Sequence, residues 1–384
     1  MALTPYSLRI QQANSDGTSY QDVVLDPPSG SDKLIQFAVG GGLTTVSDQT
    51  GTQAVFDQGT VFTVNSTSSQ GTDTRTGIDD NNPMIPWATV QAAITKAAAE
   101  YTADSKVRLV YVVQGEYSEG ITMANGVALK LAPGVVLNAN NATTATITLN
   151  ANGAAKQSIL GGGVIKNTLA GGAIKLSGAF SNGAIPIIEG KEIGDISLAN
   201  SGAAATVVES IVATKSIGAI TLDKCNLDLV ESLSTIGATT VTEGNIGSLK
   251  AAKTIAGLAM SKGAVTVDGG VITSQLKINT QDGGAVEVKL SNCGIKTAVA
   301  AESAIAIVNP GDTFTGTAKI ILNGVILVSE AAATEAVSRA GLGTTTVTFK
   351  TYEAKSNKLI LPAGITDSIN SPMVVIDPDV ESLI

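Results

Sequence analysis

The feature that most constrains this chain is a repeat. Between Ser216 and Ile272 three segments align without gaps at a 19-residue period. They read SIGAITLDKCNLDLVESLS from Ser216, TIGATTVTEGNIGSLKAAK from Thr235 and TIAGLAMSKGAVTVDGGVI from Thr254. Ile217, Ile236 and Ile255 fall in phase, as do Leu222, Val241 and Met260. A unit this short cannot bury its apolar face alone, so it must stack on its neighbours and share a core with them.

The texture extends well beyond the repeat. An earlier copy, EIGDISLANSG, begins at Glu192, and QLKINTQDGGAVEVKLSNCGIK follows at a different period. From Val107 to about Ser329, apolar runs of strand length alternate with Gly, Asn, Asp and Ser. Asn-Gly, a strong turn signal, recurs at Asn125, Asn152, Asn182 and Asn323. Leucine-rich repeats have similar periods, but their Leu and Asn positions are missing. Only 3% of residues are aromatic, and the apolar content is mostly Ala, Val, Ile and Leu. Small and β-branched side chains suit thin stacked strands better than a wide globular interior. Three short strands per unit of about 20 residues predict a right-handed parallel β-helix of roughly ten rungs.

The flanks differ from the centre. Residues 1–70 carry short alternating runs, Lys33–Val39 (KLIQFAV) and Thr60–Val64 (TVFTV), with turn signals at Asp26-Pro27-Pro28 and Gly40-Gly41-Gly42. They predict a small β-rich module. No helix and no Gly-Lys-Ser/Thr follows the glycine triplet, so it is not a phosphate loop. Residues 71–329 should form the capped β-helix. Its cap is a helix at about 87–101, with Trp87, Val90, Ile94, Ala97 and Tyr101 on one face at helical spacing. A stack of rungs has open strand edges at its ends, and this helix is placed to plug the first one. Residues 330–384 form a C-terminal capping or oligomerisation segment, with a short helix over Glu330–Ala340 and strands at Thr344–Lys350 and Lys358–Leu361.

The onset of the coil has a familiar pattern. Asn82-Pro83, then Ala88-Thr89-Val90-Gln91-Ala92-Ala93-Ile94, then Val110-Tyr111-Val112, Gly115-Glu116-Tyr117, Ile121 and Val127 resemble the N-terminal onset of pectin-lyase-like β-helices. The match covers about 50 residues and speaks to fold. That superfamily contains lyases, hydrolases and esterases as well as bacteriophage tailspikes and fibres. The layout of β module, capped β-helix and apolar tail looks most like the phage proteins. The resemblance implies a homotrimer whose residues 1–70 anchor it to other virion proteins.

Tests for chemistry return exclusions. The chain has no histidine, so histidine-based triads, bases and metal sites are ruled out. The motifs of polygalacturonase-like hydrolases and pectin methylesterases are not matched. Pectate lyases use an arginine base beside calcium ligands, but the four arginines here are Arg9, Arg75, Arg108 and Arg339. None falls between Leu109 and Ser338, where rungs would carry such a site. Cys225 and Cys293 have no neighbour at metal-ligand spacing and read as buried small hydrophobes. A glycosidase needs two carboxylates about 5–10 Å apart. Asp195 with Glu189, or Asp223, Asp228 and Glu231 facing Glu243, are the candidates. Solvated strand faces and turns account for the same residues. Asp73, Asp79, Asp80, Asn81 and Asn82 could supply calcium oxygens, but a hydrogen-bonded turn leading into the cap helix fits them better. A sugar cleft also wants aromatic faces, and between Ser118 and Thr348 there are only Phe180 and Phe314.

No catalytic, cofactor-binding or metal-binding residue is therefore assigned. Net charge of -9 disfavours nucleic acid, whose phosphates need Lys and Arg. No apolar run reaches membrane-spanning length, and the start MALTPYSLRIQQANSDG lacks the pattern of a signal peptide. The expected function is structural: a bacteriophage head or tail fibre, spike or decoration protein, with a host-surface glycan or protein as a possible ligand. Two alternatives stay open. One is a tailspike depolymerase with carboxylates in a groove between subunits. The other is a non-phage surface or adhesion β-helix.

Overall fold

The structure is a computed structural model. It describes residues 10–13, 20–23, 61–74, 80–150, 157–180, 184–279, 284–308, 316–330, 332–333, 335–340, 346–358, 366–367 and 375–376. The strand expected at Lys33–Val39, the glycine triplet Gly40–Gly42, Asp79, Phe314 and residues 359–361 lie outside them.

The chain divides between Val55 and Phe56. In the first unit Ile10–Ala13 pairs antiparallel with Tyr20–Val23, placing Ile10 opposite Val23. The boundary falls earlier than residue 70. Val61–Asn65, expected in the N-terminal module, instead pairs in parallel with Arg108–Gln114. The cause is burial: Phe62 and Val64 alternate into the core of the second unit and are fully buried.

Among its described residues the second unit is all-β apart from one helix, and its strands pair in parallel, each with a strand one coil later. Ile217 stands opposite Ile236, and Ile236 opposite Ile255. The 19-residue phase seen in the sequence is thus the register of the ladder. One stack of inward side chains runs Phe62, Val110, Leu129, Ile159, Ile188, Ile211, Val230, Leu249, Val267, Leu290, Leu322, Thr351. A second runs Ile121, Ile147, Ile174, Ile196, Ile220, Thr239, Leu258, Leu276, Ile305, Val337. A third runs Tyr117, Leu137, Ile165, Ile193, Ile217, Ile236, Ile255, Ile272, Ile295, Leu327, Ser356. Their apolar members belong to one continuous buried cluster. Each such side chain contributes about 1.5–3 kcal/mol by leaving water. Coil length varies around this fixed interior: Ile255 meets Ile272 and Ile295 meets Leu327. The extra residues fall between strands, where the core does not constrain them.

The helix runs Val90–Asp104, not 87–101. Thr89 is its N-cap, with extended backbone and a side chain accepting from Ala92 N–H. Ser105 ends it in the left-handed conformation, its N–H bonded to the Tyr101 carbonyl. Trp87 is buried but lies outside the helix, because its backbone is held as a strand: Trp87 N–H donates to Thr63 O and Asn65 N–H donates to Trp87 O. Its indole Nε1 donates to Asp80 O at 2.7 Å. Val90, Ala93, Ile94 and Ala97 are fully buried in the common core, and Tyr101 lies at its margin. Tyr101 fits because Gly126 stands under its ring, at φ +75 and with no room for a Cβ.

The helix expected over Glu330–Ala340 is absent. Val337–Ala340 is a strand paired in parallel with Ile305–Val308, and Val337 stacks on Ile305. A place in the isoleucine stack outweighs the weak helical preference of an Ala-rich run. Thr346–Tyr352, Lys355–Ser356, Thr366–Asp367 and Val375–Ile376 continue the same parallel ladder. Residues 330–384 thus contribute coil rather than a separate segment, as far as they are described.

Candidate functional site

The coil wall decides where chemistry could sit, so we followed each acidic candidate onto it. Asp195 and Glu189 each accept from the backbone of a neighbouring coil. The Asp195 carboxylate accepts from Ala219 N–H at 2.9 Å, and that of Glu189 from Gly161 N–H at 3.2 Å. Each ties one coil to its neighbour. Asp223 and Glu243 are register partners in adjacent coils, but the Glu243 carboxylate is held by Lys262 at 2.7 Å. Glu231 is held by Lys250 at 3.1 Å.

The recurring motif is a glutamate with a lysine one coil later. Glu231–Lys250, Glu243–Lys262, Glu192–Lys215 and Glu287–Lys319 all follow it. The Lys215 hydrogen bond holds the Glu192 carboxyl below its usual range. Burial pushes Glu287 up, but hydrogen bonds from Lys319 and Lys289 outweigh it and its pKa is lowered. With their pKa values lowered, Glu192 and Glu287 stay ionised at neutral pH and cannot serve as general acids there. The two 19-residue pairs were visible as a Glu and a Lys one period apart.

The aspartate-rich approach to the helix binds backbone. Asp73 accepts from Ala88 N–H at 3.0 Å and Thr89 N–H at 3.1 Å through one oxygen, and from the Thr89 hydroxyl at 2.8 Å through the other. Asn82 Oδ1 accepts from Met84 N–H. Asp80 pairs with Lys96 at 2.9 Å, and that hydrogen bond raises the lysine pKa. Glu119, unremarked in the sequence, completes the helix start: its two oxygens accept from Val90 N–H at 2.7 Å and Gln91 N–H at 3.1 Å. Two carboxylates thus satisfy otherwise orphaned N–H groups and face the positive end of the helix. No group of three or more potential metal ligands occurs among the described residues.

An open cleft of about 370 Å³ lies on the wall, lined by Lys166, Glu192, Ser216, Thr235, Thr254 and a corner of stacked glycines. Gly194, Gly218 and Gly237 occupy that corner in successive coils. Gly237 N–H donates to Gly218 O at 3.2 Å, and a Cβ on either residue would strike the coil below. The cleft offers hydroxyls, backbone, Lys166 and the lysine-paired carboxylate of Glu192, and no aromatic residue lines it. Phe180 is buried rather than displayed. Cys225 and Cys293 are also buried, and burial pushes their thiols up to about 11 and about 12. No helix among the described residues is long and apolar enough to cross a membrane. Comparison with protein-family models, with curated proteins and with solved structures gives no match.

Proposed function

We propose that this chain is a structural component of a bacteriophage virion: a head or tail fibre, spike or decoration protein. In this reading it is a right-handed parallel β-helix of roughly ten rungs whose first end is closed by the Val90–Asp104 helix. Residues ahead of the coil, within 1–70, anchor it to other virion proteins and the chain works as a homotrimer.

The observation that carries this reading is the pairing of wall carboxylates with lysines one coil on. Among the acidic candidates for a depolymerase, Glu231 and Glu243 are engaged by lysines one coil on. The wall is built for stiffness, and the hydroxyl-lined cleft gives at most a surface for non-catalytic contact with a host glycan or protein. The layout of β module, capped coil and apolar tail looks most like the phage members of the superfamily that the coil onset resembles.

The test joins two measurements. Light scattering of the purified chain should give three times the chain mass, and electron microscopy of virions labelled for this chain should place it on the particle. A monomer absent from virions overturns the reading. Release of reducing or unsaturated ends from host capsule polysaccharide would replace it with the depolymerase.

A further inference from the structure

The strand Ile121–Thr122 is the first on its face of the coil. Its residues alternate in direction, as parallel pairing requires. Ile121 N–H and Met123 N–H donate onward, to Thr146 O and Thr148 O of the next coil. Thr122 faces the other way, towards the open end, where no further strand occurs among the described residues. Its backbone N–H donates to Gln91 Oε1 at 2.6 Å, and its carbonyl accepts from Gln91 Nε2 at 3.5 Å. The side-chain amide presents one acceptor and one donor to the edge, as a neighbouring peptide group would. Gln91 is itself fixed: it sits in the first turn of the helix, its backbone N–H held by Glu119.

The adjacent face is closed by different means. There Val61–Asn65 adds a strand below Arg108–Gln114, and Trp87 covers that strand in turn through hydrogen bonds with Thr63 and Asn65. The two faces share one problem, an unpaired parallel edge that invites another chain. On the Thr122 face a single side chain is the means of closing it.

We propose that Gln91 is an edge plug: its amide occupies the hydrogen-bonding edge at Thr122 in place of a strand, and its removal opens that edge to a second copy of this chain. The occupant is a second copy because the edge continues this chain's own coil. The isoleucine stack above Ile121 sets the register and side-chain size that only another coil of the same kind would match. The inference does not depend on the virion reading.

The experiment compares Gln91→Ala with the full chain and with Thr102→Ala, an exposed helix position remote from the edge. Sedimentation velocity over a concentration series reads association, relative to whatever mass the parent shows. Hydrogen exchange reads the Thr122 amide. Gln91→Ala should exchange Thr122 at least about tenfold faster at low concentration and should form larger, concentration-dependent species, while Thr102→Ala matches the parent. Gln91→Glu keeps the acceptor but loses the donor, and should associate less than Gln91→Ala. It also decides the matter if Gln91→Ala does not fold. Unchanged Thr122 exchange in the variants would overturn the plug. Faster exchange with no rise in mass at any concentration would overturn the second copy as the occupant.

Discussion

Glu231 and Lys250 are direct register partners in adjacent coils, and their charged groups lie 3.1 Å apart. The pair is half exposed, so its attraction is screened and its net worth is small. Its stronger effect is on register. Sliding the coils by one residue would break it together with the isoleucine stacks on either side. We expect Lys250→Met to change stability by less than about 1 kcal/mol. Glu231→Lys, which sets two lysines opposite each other, should cost more than removing the pair. Urea unfolding of the two variants checks the order, and equal costs would remove the register role.

Thr239 occupies an isoleucine position between Ile220 and Leu258, almost fully buried, and its hydroxyl has no hydrogen-bond partner. An unpaired buried hydroxyl costs about 1–3 kcal/mol. Thr239→Val keeps the branched shape and removes the hydroxyl. We expect it to stabilise the chain by about 1 kcal/mol, read as a higher urea midpoint at unchanged slope. A lower midpoint would mean that the hydroxyl is bonded in solution.

Gly244 and Gly134 both have positive φ, +137 and +91, but only at Gly244 would a Cβ collide with the Cys225 carbonyl of the coil below. At Gly134 nothing lies within 4 Å. Gly134→Ala should therefore cost only backbone strain, about 1 kcal/mol. Gly244→Ala adds a steric clash and should cost more than about 2 kcal/mol. Thermal melts of both variants separate strain from collision.

Glu192 and Glu287 have lowered pKa values in the folded chain, through lysines one coil later. A depressed folded pKa gives stability that is present above the unfolded value of 4.5 and lost as pH falls through the folded one. Acid should therefore weaken the coil, and Glu192→Gln with Glu287→Gln should flatten that dependence. The buried thiols act at the other end. Their raised pKa values keep them neutral while unfolded thiols ionise near 9.0, so stability should fall as pH rises above that value. A thiol reagent at pH 8 should label Cys225 and Cys293 only after unfolding. Rapid labelling of the native chain would contradict their burial.

The sequence disclosed the parts of this fold that repeat. Ile217, Ile236 and Ile255 were in phase because each must fill the same place in a stack, and the ladder pairs them directly. The start and stop of single elements were less legible. Trp87 matched the helical spacing of Val90 and Ile94, but three-dimensional pairing with Thr63 and Asn65 held it extended. The Ala-rich run at 330–340 favoured a helix locally, and the vacancy above Ile305 decided otherwise. Contacts made once, between segments far apart, left no mark at all. Glu119 at the helix start and Gln91 at Thr122 depend on distances of 28 to 31 residues with no second copy to reveal them. On the wall, the acidic candidates were visible as residues, while their lysine partners became apparent only when the period was applied to charge.

The stacking of coils also sets how this chain would yield to force. Each coil is bonded to its two neighbours and to nothing else in the ladder. Tension applied through the chain ends therefore meets one boundary at a time, and the coil unwinds as a seam rather than failing as a block. Where the period is 19 residues, each released coil frees roughly 65 Å of chain at full extension. A pulling trace should show steps of about that contour length through Ser216–Ile272, with longer steps where Ile295 and Leu327 bound a longer coil.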